Sequence, residues 1–84
     1  MQLHIVTTDG QERHIRVPAR VEVAFERHWK GGIYKTLINE QRAEHLYWIA
    51  RELLILDGVV CKPFGDDFLD TIQSVEIEDD SPNG

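Results

Sequence analysis

Cysteine is almost absent from this chain. Cys61 is the single one among 84 residues, so no intramolecular disulfide can form and nothing points to an oxidising compartment. Basic residues are missing from one whole end. Residues 64–84 hold no Lys or Arg but seven acids, whereas residues 1–63 carry nine Lys/Arg against eight Asp/Glu. A neutral body with an acidic end disfavours sequence-independent nucleic-acid binding, which needs clustered cations. Long apolar runs are also lacking. The longest, Leu46–Leu56, spans eleven residues and contains Arg51 and Glu52. That is well short of the roughly 20 apolar residues that cross a bilayer. The N-terminal residues have neither the basic nor the apolar region of a signal peptide. No internal repeat or low-complexity tract occurs. A cytoplasmic setting, with no membrane partner, is the resulting expectation.

What is present is an ordinary globular composition. Hydrophobic residues make up 42% and charged residues 29% of the chain, so wholesale disorder is not expected. Eighty-four residues allow one domain with one modest core.

The first segment reads as a β-hairpin. Leu3, Ile5 and Thr7 alternate with Gln2, His4 and Val6, and after Asp9-Gly10 the residues Ile15 and Val17 alternate with His14 and Arg16. A two-residue Asp9-Gly10 loop would pair Ile5 with His14 and mix the faces. A three-residue loop, Thr8-Asp9-Gly10 with Gly10 left-handed, pairs Leu3 with Ile15 and Ile5 with Arg13, and keeps the apolar sets together.

Three helices are predicted to follow. Pro18 suits a first turn, Val21, Ala24, Phe25 and His28 share a face, and Gly31-Gly32 is the expected stop. Ile33–Ile38 is compatible with a helical turn or a packed loop. Asn39 is read as the N-cap of a long helix over Glu40–Asp57, stopped by Gly58. Phe64, Phe68 and Ile72, spaced four apart, suggest a third helix, with Asp66 and Asp67 in its first turn. Val75-Glu76-Ile77-Glu78 alternates like a short strand. The predicted fold is a small, mainly helical α+β domain over residues 1–78: a hairpin at 2–17 and helices at about 18–30, 40–57 and 63–73. Residues 79–84 are predicted to be an acidic flexible tail.

The long helix is anomalous because its apolar residues encircle the axis. Leu46, Ile49, Ala50 and Leu53 form one stripe, while Tyr47, Leu54, Trp48 and Ile55 flank it. Such a helix is normally buried on all sides. In so small a domain, either the other elements wrap it or part of it contacts another protein. Trp48 and Ile55, two turns apart and off the main stripe, mark the candidate partner side.

Catalytic and metal signatures are not evident. His4 and His14 fall close together on one hairpin face, and His28 and His45 lie on different helices, but no His-x-x-x-His and no paired cysteines occur. The two hairpin histidines read as surface neighbours. Cys61 reads as a small packing residue rather than a nucleophile. Asp66, Asp67 and Asp70 lack the alternating pattern of a calcium loop. Gly31-Gly32 lacks the rest of a phosphate loop. No catalytic, cofactor-binding or metal residue is assigned. Protein-interaction candidates are Trp29 and Trp48 first, then Phe25, Tyr47, Ile55 and Phe68, because Trp and Tyr dominate interface hot spots.

Three segments, in order, resemble a known family. They are Val23-Ala24-Phe25-Glu26-Arg27-His28-Trp29, the stretch Glu40–Ala50 (EQRAEHLYWIA), and Lys62-Pro63-Phe64 with Phe68-Leu69-Asp70 and Val75-Glu76-Ile77-Glu78. Following a short hairpin with Asp-Gly, they are similar to the tail assembly chaperones of long-tailed bacteriophages, siphophages of actinobacteria in particular. The likeness covers about residues 3–80. Arg51 stands where a second aromatic commonly follows. The resemblance implies a non-enzymatic protein of the host bacterial cytoplasm. It would bind the tape measure protein, help recruit tail tube protein, and be absent from the mature virion. Self-association is compatible with it. It also implies that this chain matches the short form, or shared N-terminal part, of a pair related by ribosomal frameshifting. The competing readings are a small acidic phage regulatory or DNA-mimic protein, and a structural head–tail connector component.

Overall fold

The computed structural model describes residues 1–78; the tail expected at 79–84 lies outside them. A hairpin of β1 (Gln2–Thr7) and β2 (Glu12–Arg16) leads into α1 (Ala19–Trp29), α2 (Ile33–Glu40), α3 (Ala43–Leu56), the single turn α4 (Asp66–Leu69) and β3 (Ile72–Glu78). β3 returns beside β1, so the three-stranded antiparallel sheet runs β2-β1-β3. The result is a small compact α+β domain. Helices cover the sheet face that carries Leu3 and Ile5, and the opposite face is polar.

The hairpin register is the one that keeps apolar residues together. Leu3 pairs with Ile15 and Ile5 with Arg13. Gly10 takes φ 89°, and its N–H donates to the Thr7 carbonyl at 2.9 Å, a turn followed by a left-handed residue. The Asp9 carboxylate fixes this loop by accepting from Thr7 Oγ1 at 2.5 Å and from the Gln11 N–H at 3.1 Å. Those two bonds, the Thr7 hydroxyl foremost, hold the Asp9 carboxyl below the ordinary aspartate range.

Three helix boundaries differ from the sequence expectation. α1 ends at Lys30, which adopts the left-handed conformation itself (φ 58°) while its N–H reaches the Glu26 carbonyl at 2.8 Å. Gly31 serves a different need, since a Cβ there would meet Thr36 Oγ1 at 2.9 Å. Residues 33–40 form a full helix, and Gln41 closes it in a left-handed conformation (φ 51°). Asn39 therefore sits inside α2 rather than capping α3, which begins only at Ala43. Neither Lys30 nor Gln41 announces itself as a breaker; tertiary packing supports a conformation that non-glycine residues adopt at a cost of about 1 kcal/mol. The end of α3 follows expectation. Gly58 (φ 88°) donates to Ile55 and Val59 donates to Leu54, the paired bonds of a glycine-terminated helix.

The third predicted helix is reduced to α4. Phe64 precedes it and Ile72 opens β3. The four-residue spacing of Phe64, Phe68 and Ile72 is overridden because Ile72 pairs with Thr7, and a bulge between Val6 and Thr7 shifts the register before Ser74 meets Val6. Ile72, Val75 and Ile77 thus face the helices despite their uneven spacing.

Leu3, Ile5, Val21, Phe25, Ile33, Ile49, Ala50, Leu53, Leu54 and Phe68 form one buried cluster. It answers the anomaly of α3 for most of its length. Leu53 is fully buried, so Leu53→Ala is expected to cost about 2–5 kcal/mol, read as a fall in urea midpoint. A second expectation concerns acid. Because Asp9 titrates lower in the folded state, its stabilisation is complete above its unfolded value near about pH 4 and is lost as pH falls through the folded value. Asp9→Asn should therefore show a smaller loss of stability than wild type between about pH 6 and about pH 3.

Candidate functional site

Two features stand out on the helical side. The first is an apolar groove of about 800 Å³ at one end of the domain, lined by Met1, Tyr34, Leu37, Ile38, Gln41, Arg42, Ala43, Leu46, Ile77 and Glu78. The backbone explains why it stays open. α2 turns Leu37 into the core, and leaves Tyr34 and Ile38 side by side on its outer face, one turn apart. Gln41 then redirects the chain before α3 begins, so the two helices diverge from this point. Across the gap Ile77 faces inward opposite Leu3, but at the end of the sheet. Tyr34, Ile38 and Ile77 are accordingly 49%, 68% and 52% exposed. Arg42 and Glu78 supply one charge of each sign, and Gln41 a polar amide, to a lining that is mostly apolar.

The second feature is an aromatic cluster at the seam of α1 and α3. Phe25 lies at its centre, edge-on to His45 (ring centroids 5.7 Å) and to Trp48 (6.0 Å). Trp29 meets His45 at 4.5 Å and Trp48 at 6.5 Å. His28 lies flat on Trp48 at 4.9 Å, covering it from the solvent side. Trp29 Nε1 and His45 Nδ1 are buried with no hydrogen-bond partner among the described residues. The seam therefore trades two polar satisfactions for ring contact.

The residues singled out from sequence do not converge on one surface. Phe25 and Phe68 are buried in the core, and Trp29 and Trp48 are half-buried against it in the aromatic seam. Tyr47 is half-buried on α3. Ile55 is exposed near the end of α3, beside the exposed Leu56. The groove residues Tyr34, Ile38 and Ile77 were not singled out. Their signal was the helical spacing of Tyr34, Leu37 and Ile38 within a segment that also read as a loop.

Cys61 lines a smaller hollow of about 280 Å³ with Arg13, Leu54 and Phe68. Burial pushes its thiol above the ordinary cysteine value, opposite to what a nucleophilic thiolate needs. Arg51, the polar residue inside the apolar run, donates Nε–H to the Lys62 carbonyl at 2.6 Å and so ties α3 to the loop that follows it. Among the described residues no helix is long and apolar enough to cross a membrane.

The ring contacts of Trp48 give it a structural role that Ile55 lacks. Trp48→Ala should lower stability by about 3 kcal/mol, whereas Ile55→Ala, at an exposed position, should stay within about 1 kcal/mol. Paired thermal melts measure both.

Compared with known protein families, with curated proteins and with solved structures, the chain matches none.

Proposed function

We propose that this protein is a bacteriophage tail assembly chaperone. It acts by binding rather than by catalysis, and its apolar groove receives a helical segment of the tape measure protein. The observation that carries the reading is the groove itself. Three large apolar side chains, Tyr34, Ile38 and Ile77, are held half-exposed or more around one concavity. A domain of this size has few apolar residues to spare, and exposed apolar concavities mark binding sites. The groove suits an amphipathic helix, whose side chains at i, i+3, i+4 and i+7 would enter it.

A tape measure chain is long, helical and prone to aggregate before the tail tube surrounds it. Masking its apolar stripes in the host cytoplasm, with tail tube protein recruited as the complex grows, accounts for a binding face on a body of nearly balanced charge. The acidic C-terminal end favours solubility of the complex. In this reading the chaperone leaves before the virion matures. The ordered sequence segments that resemble the family add their weight to the groove.

The test is binding of purified tape measure fragments to wild type and to Ile38→Asp. Ile38 is 68% exposed, so the substitution should leave the melting temperature nearly unchanged. It should weaken binding at least about tenfold, the effect of disturbing an interface hot spot. Absence of binding by the wild type, or undiminished binding by Ile38→Asp, would overturn the reading. Peptide mapping of purified virions should find no trace of the chain; its presence there would favour a connector instead.

A further inference from the structure

The polar face of the sheet holds an arrangement that the helical side does not explain. His4 on β1 and His14 on β2 are directly paired across the hairpin, and their rings stack at 4.2 Å, within 8° of parallel. Glu12 on β2 reaches His4 Nε2 with Oε1 at 2.9 Å. Glu78 on β3 reaches His14 Nδ1 with Oε1 at 2.9 Å. The potential ligand atoms of His4, Glu12 and His14 lie within 4.8 Å of one another. We propose that His4, His14 and Glu12 form a zinc-binding site on the outer face of the sheet, with Glu78 orienting the His14 ring.

The chemistry of the donor set fits zinc. Two imidazoles and one carboxylate are ligands of a borderline-soft divalent cation, and three protein ligands leave a fourth tetrahedral position for water. Bound at about 2.0–2.2 Å, tetrahedral ligand atoms sit about 3.4 Å apart. Contraction from 4.8 Å to that spacing is within reach of side-chain rotation. The stacked rings must splay so that both lone pairs aim at one point, and Glu12 must exchange its contact with His4 for the metal. Backbone movement is not required, because the ladder already places His4 opposite His14. Glu78 stands where a carboxylate orients a metal-bound imidazole and raises its basicity. Gln2 donates Nε2–H to the same Oε1 at 2.8 Å and so fixes the Glu78 carboxylate beside the His14 ring.

The sheet topology adds a consequence. A metal on His4, Glu12 and His14 links the central strand to β2, and the Glu78 contact carries the link to β3. One ion would thus tie together all three strands. The site shares no residue with the aromatic seam, and only Glu78 also borders the groove. It does not depend on the chaperone reading.

The test is calorimetric titration of the full chain with zinc chloride, beside melting curves with and without zinc. Wild type should bind one zinc per chain, and its melting temperature should rise with zinc concentration. His14→Gln, at an exposed position, should fold and lose at least a hundredfold in affinity together with the thermal shift. Glu78→Gln should lose about 10–100-fold, as expected for an orienting carboxylate. His28→Gln, on α1, should bind as wild type does. Absence of stoichiometric binding at about 100 μM zinc would overturn the proposal. So would binding undiminished by His14→Gln, or binding abolished instead by His28→Gln or Cys61→Ser.

Discussion

The burial of Leu3 and Ile5 on the central strand is the constraint on which the rest of the domain depends. Both are fully buried, and both sit on a strand paired along each edge. β2 supplies one neighbour through a short loop. β3 supplies the other only after the whole helical layer has been laid down. Closing the sheet therefore fixes the first and last strands side by side and sets the span that the helices must cover. An 84-residue chain has little apolar surface with which to offset its conformational entropy, so a core concentrated on one strand is an economical solution.

The helices meet that constraint with few conventional signals. α1, α2 and α3 are preceded by Pro18, Gly32 and Arg42, and none of the three receives a side-chain cap. Two of their ends are closed by Lys30 and Gln41 in left-handed conformations. Burial of Phe25, Leu37 and Ile49 must hold these ends in place. This tolerance explains how much the sequence disclosed. The hairpin was readable down to its register, because alternation and Gly10 agreed and only one loop length kept Leu3 and Ile15 on one face. The end of α3 was readable because Gly58 is the left-handed residue there. The break at Gln41 was hidden, since nothing in its chemistry marks it. The brevity of α4 was hidden by a bulge that no local pattern reveals.

The interaction surface was legible in kind rather than in place. An over-apolar helix in a small domain called for a partner or a wrapping, and the fold supplies mostly wrapping. Trp29 and Trp48 were drawn inward by ring contact with Phe25 and His45. Part of the apolar surface left over lies at the junction of α2, α3 and the sheet end, where Ile38 and Ile77 stand, and part lies elsewhere, as at Ile55 and Leu56. A sequence ranks residues by type. Which of them runs out of neighbours depends on where the sheet stops. The polar face shows the same limit: the pairing of His4 with His14 could be read, but the approach of Glu78 depends on a third strand arriving from the far end of the chain.

The aromatic seam has an optical consequence. Both tryptophans of the chain, Trp29 and Trp48, lie in it at 6.5 Å from each other, and the sheet contains neither tryptophan nor tyrosine. Intrinsic tryptophan emission from this protein therefore reports on a single junction, between α1 and α3. A transition followed by fluorescence records the parting of two helices, while one followed by far-ultraviolet circular dichroism also includes the strands. Coincidence of the two curves is thus a direct measure of whether the helical layer and the sheet come apart as one cooperative unit.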